Sequence, residues 1–196
     1  MPLNSYQNNS IPTIVTYVTP TFDTEILKNA KSKEDLNRHI LAQTQGEPVI
    51  LTESLDLPSL MYITNVVYTS SPELVFETKD GIKIQVFDFT SEEVIRPADI
   101  NTSFALLNKE ITKNESKEDL TVDINKFWEL QTANDTEHKL YYSVQEILKH
   151  ITNSTKTTLM GPAPAVLFLL TQHYLAGKAK ELWYQEGSNS KPVRIY

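Results

Sequence analysis

Apolar positions are spread unevenly along the chain, and the most apolar stretch, residues 157–184, TTLMGPAPAVLFLLTQHYLAGKAKELWY, has the clearest pattern. Residues 157–160 read as a short buried strand, ended by Gly161 and Pro162. Pro164 suits the first turn of a helix, where a missing N–H leaves no bond unmade. Residues 165–176 are apolar on almost every side, as in a helix covered all round. Gly177 is a good C′ residue, and residues 181–185 carry the Trp and Tyr of a second strand. Strand, crossover helix and strand make a βαβ unit.

Upstream, residues 13–19, TIVTYVT, alternate and are β-branched, which predicts a strand that Pro20 stops. Residues 23–30 give one or two helical turns. Ser32 is placed to cap the next helix, with Asp35 standing where a capping box has Glu. Leu36, Ile40 and Leu41 follow at helical spacing, Gly46 ends the helix, and residues 48–52, PVILT, form a second strand. This is a first strand–helix–strand pattern.

Residues 60–69, LMYITNVVYT, are long, β-branched and aromatic, and read as a strand. Residues 74–78 and 82–89 flank Lys79-Asp80-Gly81, a strong hairpin signal. Alternation would turn Ile82, Ile84 and Val86 to one face and Lys83, Gln85 and Phe87 to the other. Residues 60–89 are therefore expected to form an antiparallel meander. Beyond it, 91–97 is a connection, 103–112 a helix, and a polar insertion near 113–120 a solvated loop. Residues 122–130 and 141–151 are helical by spacing, 187–190 is a turn, and 192–196 is a last strand. Residues 1–12 are polar and Asn-rich, a frayed end. The predicted class is α/β or α+β: a single domain over 13–196 with a mixed sheet, a central antiparallel meander and a C-terminal βαβ unit.

Charge narrows the partners. The 196 residues carry a net charge of −7, which argues against long nucleic acid. Residues 151–196 hold five cations, Lys156, Lys178, Lys180, Lys191 and Arg194, against Glu181 and Glu186. That segment is +3 and the remainder −10. With no cysteine, disulfides, zinc–thiolate sites, iron–sulfur clusters and thiol nucleophiles are excluded. His39, His138, His150 and His173 are scattered, so no metal site and no cofactor are expected. The start, MPLNSYQNNS, has no signal-peptide core, and no run reaches the length of a membrane span. The expectation is a cytoplasmic protein with no membrane partner.

Three features could carry chemistry. The turn Gly161, Pro162, Ala163 heads a buried helix, whose N-terminal N–H groups can hold an anion; the alternative is a packing turn that needs glycine for its dihedrals. His173 is either a general acid/base or a residue packed within the helix. Lys178, Lys180, Lys191 and Arg194, interleaved with Trp183, Tyr184 and Tyr196, suit phosphates and bases, or form a solvated edge. The acidic pairs Glu34-Asp35, Glu92-Glu93 and Glu118-Asp119 read as solvated faces.

Residues 159–184 resemble the C-terminal unit of CRISPR-associated Rossmann-fold (CARF) proteins and their small ring-nuclease relatives. The resemblance rests on Gly161, Pro164, Leu170, His173, Tyr174 and Trp183-Tyr184. It implies a Rossmann-like homodimer in antiviral defence that binds a cyclic oligoadenylate. It also implies metal-independent cleavage, by positioning a ribose 2′-OH for in-line attack. Gly161, Pro162, Ala163, Lys178, Lys191 and Arg194 would then hold the ligand, and His173 would be the acid/base. Ring nucleases of this sort carry an acidic residue just after the last aromatic; here Gln185-Glu186 places it one position later. The alternative is a non-enzymatic adaptor, small subunit or inhibitor, with an acidic body steered to a basic partner and Phe127-Trp128 in its interface.

Overall fold

Polar caps and buried runs set the order of the elements. The computed structural model describes residues 13–30, 32–44, 46–90, 94–102, 104, 119–132, 135–151 and 153–196. The N-terminal part contains β1 (Thr13–Ile14), α1 (Thr24–Asn29), α2 (Lys33–Thr44), β2 (Val49–Thr52), α3 (Leu57–Tyr68), β3 (Glu73–Glu77), β4 (Lys83–Asp88), β5 (Val94–Ile95) and β6 (Ile100–Asn101). The C-terminal part contains β7 (Leu120–Asp123), α4 (Ile124–Leu130), α5 (Thr136–His150), β8 (Ser154–Met160), α6 (Ala165–Leu175), β9 (Ala179–Gln185) and β10 (Val193–Arg194).

The strands form two four-stranded sheets, ordered β2-β3-β4-β6 and β10-β9-β8-β7, and a short parallel pair, β1-β5. In the second sheet β7, β8 and β9 are parallel and β10 is antiparallel. In the first, β3 and β4 are antiparallel, while β2 joins β3 and β6 joins β4 in parallel. The class is α/β. The C-terminal unit β8–α6–β9 is the βαβ unit that the sequence predicts, with Thr158 opposite Trp183.

The meander is corrected. Its first segment is α3, not a strand, and only the β3–β4 hairpin remains. Asp56 caps α3 by accepting from Ser59 N at 2.9 Å, and Pro58 sits in the first turn. Leu60, Met61, Ile63, Thr64, Val66 and Val67 are all buried, so tertiary burial overrides the β preference of this run. The hairpin closes as expected, with Gly81 at φ +78° and Thr78 N donating to Ile82 O at 2.9 Å. Alternation in β4 does not appear, because Ile84, Gln85, Val86 and Phe87 are all buried. A sheet covered on both faces has no solvated side.

Other expectations shift by a few residues. The strand over 13–19 shrinks to β1 and a bridge in which Val18 N donates to Pro48 O at 2.8 Å. Val122 and Asp123 end β7 rather than begin a helix. Ser32 caps the helix as predicted, Asp35 N donating to Ser32 Oγ at 3.1 Å, but the box is not completed: the Asp35 carboxylate accepts from Ser32 Oγ at 3.0 Å rather than from the Ser32 backbone N–H. The frayed end over 1–12, most of the helix over 103–112 and the insertion over 113–118 fall outside the described residues.

At the centre lies α6, packed against α3, α5 and β4. Val166–Leu170 are buried without interruption. Each of these large side chains contributes about 2 kcal/mol by leaving water. Near the start of β3 a charge is buried. Glu73, fully buried, accepts from Tyr17 Oη at 2.8 Å, Gln85 Nε2 at 2.6 Å and Arg96 Nε at 3.0 Å. Arg96 also bonds Asp88 and Thr90. This network fastens the Tyr17 and Arg96 segments to the first sheet.

Candidate functional site

Three parallel strands end side by side. Asp123 of β7 is opposite Met160 of β8, which is opposite Gln185 of β9. Ligands of open α/β sheets collect at such strand ends. Asp123 caps α4, its Oδ1 accepting from Asn125 N at 3.2 Å. Gly161 lies directly against that cap. Its φ is +100°, and a Cβ there would sit 2.5 Å from Asp123 Oδ1 and 3.0 Å from Asn125 Cβ. Both the dihedral and the space demand glycine. The chain continues through exposed Pro162 and half-buried Ala163. Pro164 is the N-cap of α6, one position before the first turn, and supplies no side-chain cap. The positive end of the helix dipole therefore faces the strand ends.

The loop after β9 completes this edge. Gln185 Nε2 donates to Gly187 O at 2.8 Å and Ser188 O at 3.1 Å, and Gly187 N donates to Ser190 Oγ at 3.0 Å. Lys191 is exposed just beyond. Carboxylates share the rim. Burial raises the Tyr184 phenol above its ordinary value, and the charges of Glu186 and Asp56 raise it further. Asp56 is the cap of α3.

No protein-family model matches the chain, and no curated protein matches it in sequence. Its fold does have a solved counterpart. The chain shares the fold of the Cap4 SAVED/CARF-domain containing receptor of Acinetobacter baumannii. The TM-score is 0.50 at 11% identity, over 93% of this chain and 49% of that one. The chain thus spans about half the length of that receptor. The structure of the receptor with the cyclic trinucleotide 2′3′3′-cAAA matches with a TM-score of 0.48 at 12% identity, over 93% and 51%. That with 3′3′3′-cAAA gives 0.48 at 11% identity over the same shares.

Of the predicted site residues, the fold brings Gly161, Pro162, Ala163 and Lys191 to the strand ends. It places His173 near the other end of α6, roughly 12 Å along the axis from Ala165 at 1.5 Å per residue. There the imidazole stands among Tyr68, Phe87, Phe89 and Tyr174, with ring centroids 5.8, 6.0, 6.3 and 5.0 Å away. Lys178 follows α6: its Nζ donates to Tyr174 O at 3.0 Å, and its carbonyl accepts from Ser154 N at 3.0 Å, at the start of β8. Arg194 pairs with Glu181 at 3.3 Å and donates to Tyr196 O at 3.2 Å. Trp183 donates to Glu181 at 2.9 Å, and Lys156 lies 4.7 Å over its ring. The basic and aromatic set is thus divided between the two ends of α6 and the outer strand. Phe127 and Trp128 are half-buried, with Lys139 Nζ 4.2 Å over the Trp128 ring.

Sequence reasoning missed Asp123, Asn125 and Asp56. The signals were an Asp two positions before Asn125, after the run Leu-Thr-Val, and an Asp two positions before Pro58; both are helix-start patterns. Among the described residues no group of three or more His, Asp or Glu is placed to hold a metal ion. No helix among them is long and apolar enough to cross a membrane.

Proposed function

We propose that the chain binds a cyclic oligonucleotide second messenger, a cyclic oligoadenylate in the first instance, where β7, β8 and β9 end, and that it serves cytoplasmic antiviral defence. The observation that carries this is the side-chain-uncapped N-terminus of α6, held beside three parallel strand ends by the Gly161 turn, in a fold shared with a SAVED/CARF-domain receptor. The first-turn N–H groups of α6 suit a phosphate. Asp123 and Glu186 suit ribose hydroxyls or base amines, which donate to carboxylates. Lys191 adds a cation on the same rim. A homodimer belongs to this reading, as the resemblance of residues 159–184 to CARF proteins implies.

His173 stands a helix length from this crevice, which supports binding without turnover by that residue. Calorimetry with cyclic tri-, tetra- and hexa-adenylate, followed by chromatography of the ligand, tests the reading. Saturable binding, weakened by Lys191→Ala, with the ligand recovered intact is the expected result. Absence of heat with all three ligands at millimolar concentration would discard it.

A further inference from the structure

The other end of α6 has a cavity of its own. A partly open cavity of about 200 Å³ lies between α3, α6 and the last residues of the chain, lined by Thr64, Asn65, Tyr68, Gln172, His173 and Tyr196. Thr64 is 1% exposed and Gln172 4%. Buried polar atoms in native proteins almost always have partners. Here Thr64 Oγ1, Gln172 Oε1 and the Tyr196 hydroxyl have none among the described residues. All three belong to the lining of one cavity.

The chemistry of the wall is specific. Gln172 Nε2 donates to Met61 O at 3.0 Å, which fixes the amide and leaves Oε1 as a pure acceptor. It therefore asks for an N–H or O–H. Thr64 and Tyr196 can donate or accept; burial, then the nearby Tyr68, pushes the Tyr196 phenol up to about 12, so it stays protonated. Among the described residues no Lys, Arg, Asp or Glu lines the cavity, which disfavours a phosphate or any other charged group there. The rings of Tyr68 and His173, with centroids 5.8 Å apart, supply flat surface on which a ring can lie. The wall at Gly177 is open, with nothing within 4 Å of a Cβ placed there. A cavity of about 150 Å³ already holds a benzene ring, so this one has room for a larger planar group.

We propose that this cavity binds one uncharged planar heterocycle bearing an N–H donor, that is, a nucleobase. Its amine donates to Gln172 Oε1, and its ring nitrogens accept from Thr64 or Tyr196. The base comes either from a free nucleobase or nucleoside, or from an oligonucleotide that inserts one base. The inference stands apart from the reading of the strand-end crevice, because it uses none of that crevice's residues.

Titration of the full chain with adenine, adenosine and cyclic triadenylate, read by thermal shift and calorimetry, tests it. Adenine is expected to raise the melting temperature and to bind saturably. Thr64→Val and Tyr196→Phe remove hydroxyls that have no protein partner, so the unliganded proteins should melt no lower than wild type. Each should weaken adenine binding at least tenfold, whereas Lys191→Ala should leave it unchanged. Competition by cyclic triadenylate would assign the base to an oligonucleotide; competition by adenosine alone would assign it to a free base or nucleoside. Failure of adenine, guanine and uracil to bind at millimolar concentration would overturn the proposal. So would binding indifferent to both variants, or ordered waters alone in the cavity of an adenine-soaked crystal.

Discussion

The two ends of α6 are made by one apolar helix, yet they use opposite physics. At the N-terminal end the turn itself is tight: Gly161 is pressed against Asp123 and Asn125, and the available chemistry is backbone N–H, carboxylate and the exposed Lys191. At the C-terminal end there is space, walled among the described residues by Tyr68, His173 and uncharged hydrogen-bonding side chains. One end is shaped by close packing and charge, the other by side-chain shape and unmet neutral polarity. The helix between them is buried from Val166 to Gln172, so each end is held rigidly relative to the other. Substitutions that change backbone conformation or charge should act on the first end, and exchanges of a hydroxyl for a methyl or hydrogen on the second.

The largest effect is expected at Gly161. Gly161→Val adds a β-branched side chain at positive φ and forces it into Asp123 Oδ1, a loss of about 3–5 kcal/mol from strain and overpacking together. Urea unfolding measures it. Wild-type stability in this variant would break the contrast, because the turn would then have slack. Next is His173→Ala, which removes a half-buried ring from among four aromatic neighbours. A loss of about 1–2 kcal/mol is expected, seen as a fall of roughly 2–8 °C in melting temperature. No change would place that imidazole outside the packing.

Alkaline pH should weaken the roomy end. Burial, helped by neighbouring tyrosines, raises the Tyr174 and Tyr196 phenols to about 12, against an ordinary value of about 10. The folded chain holds these protons more tightly than the unfolded one. Their contribution is therefore complete below about pH 10 and is lost as pH rises towards about 12. Urea melts at increasing alkaline pH should show the loss, and Tyr196→Phe should reduce it. A flat profile over that window would contradict the burial of these phenols. The smallest effect is at Thr64. Thr64→Val exchanges a buried hydroxyl without a partner for a methyl, so stability should stay level or rise by up to about 1 kcal/mol. A clear loss would show that the hydroxyl is already satisfied inside the protein.

The tight end was largely legible in the sequence. Gly161, the prolines and the apolar run announce a strand, a turn and a helix, and local rules govern all three. Asp123 was not read as its neighbour, because the contact joins residues 38 positions apart. The roomy end was illegible for the same reason on a larger scale. Thr64 and Tyr68 come from α3, Gln172 and His173 from α6, and Tyr196 from the last residues. The residues of α3 were themselves misread as a strand, since Ile63, Val66, Val67 and Tyr68 favour β structure locally. The Asp56 cap and Pro58 were the only local signs of a helix. Glu73 lies one position before the predicted strand, and its bond to Arg96, 23 positions on, has no local signal.

Amide shift mapping with cyclic oligoadenylate tests the central claim most directly, since it reads both ends of α6 in one titration. The account predicts saturable shifts at Gly161, Ala163, Ala165, Asn125, Gly187 and Lys191, where the strand ends meet the N-terminus of α6. Shifts confined to the His173 end, or none at all, would contradict it.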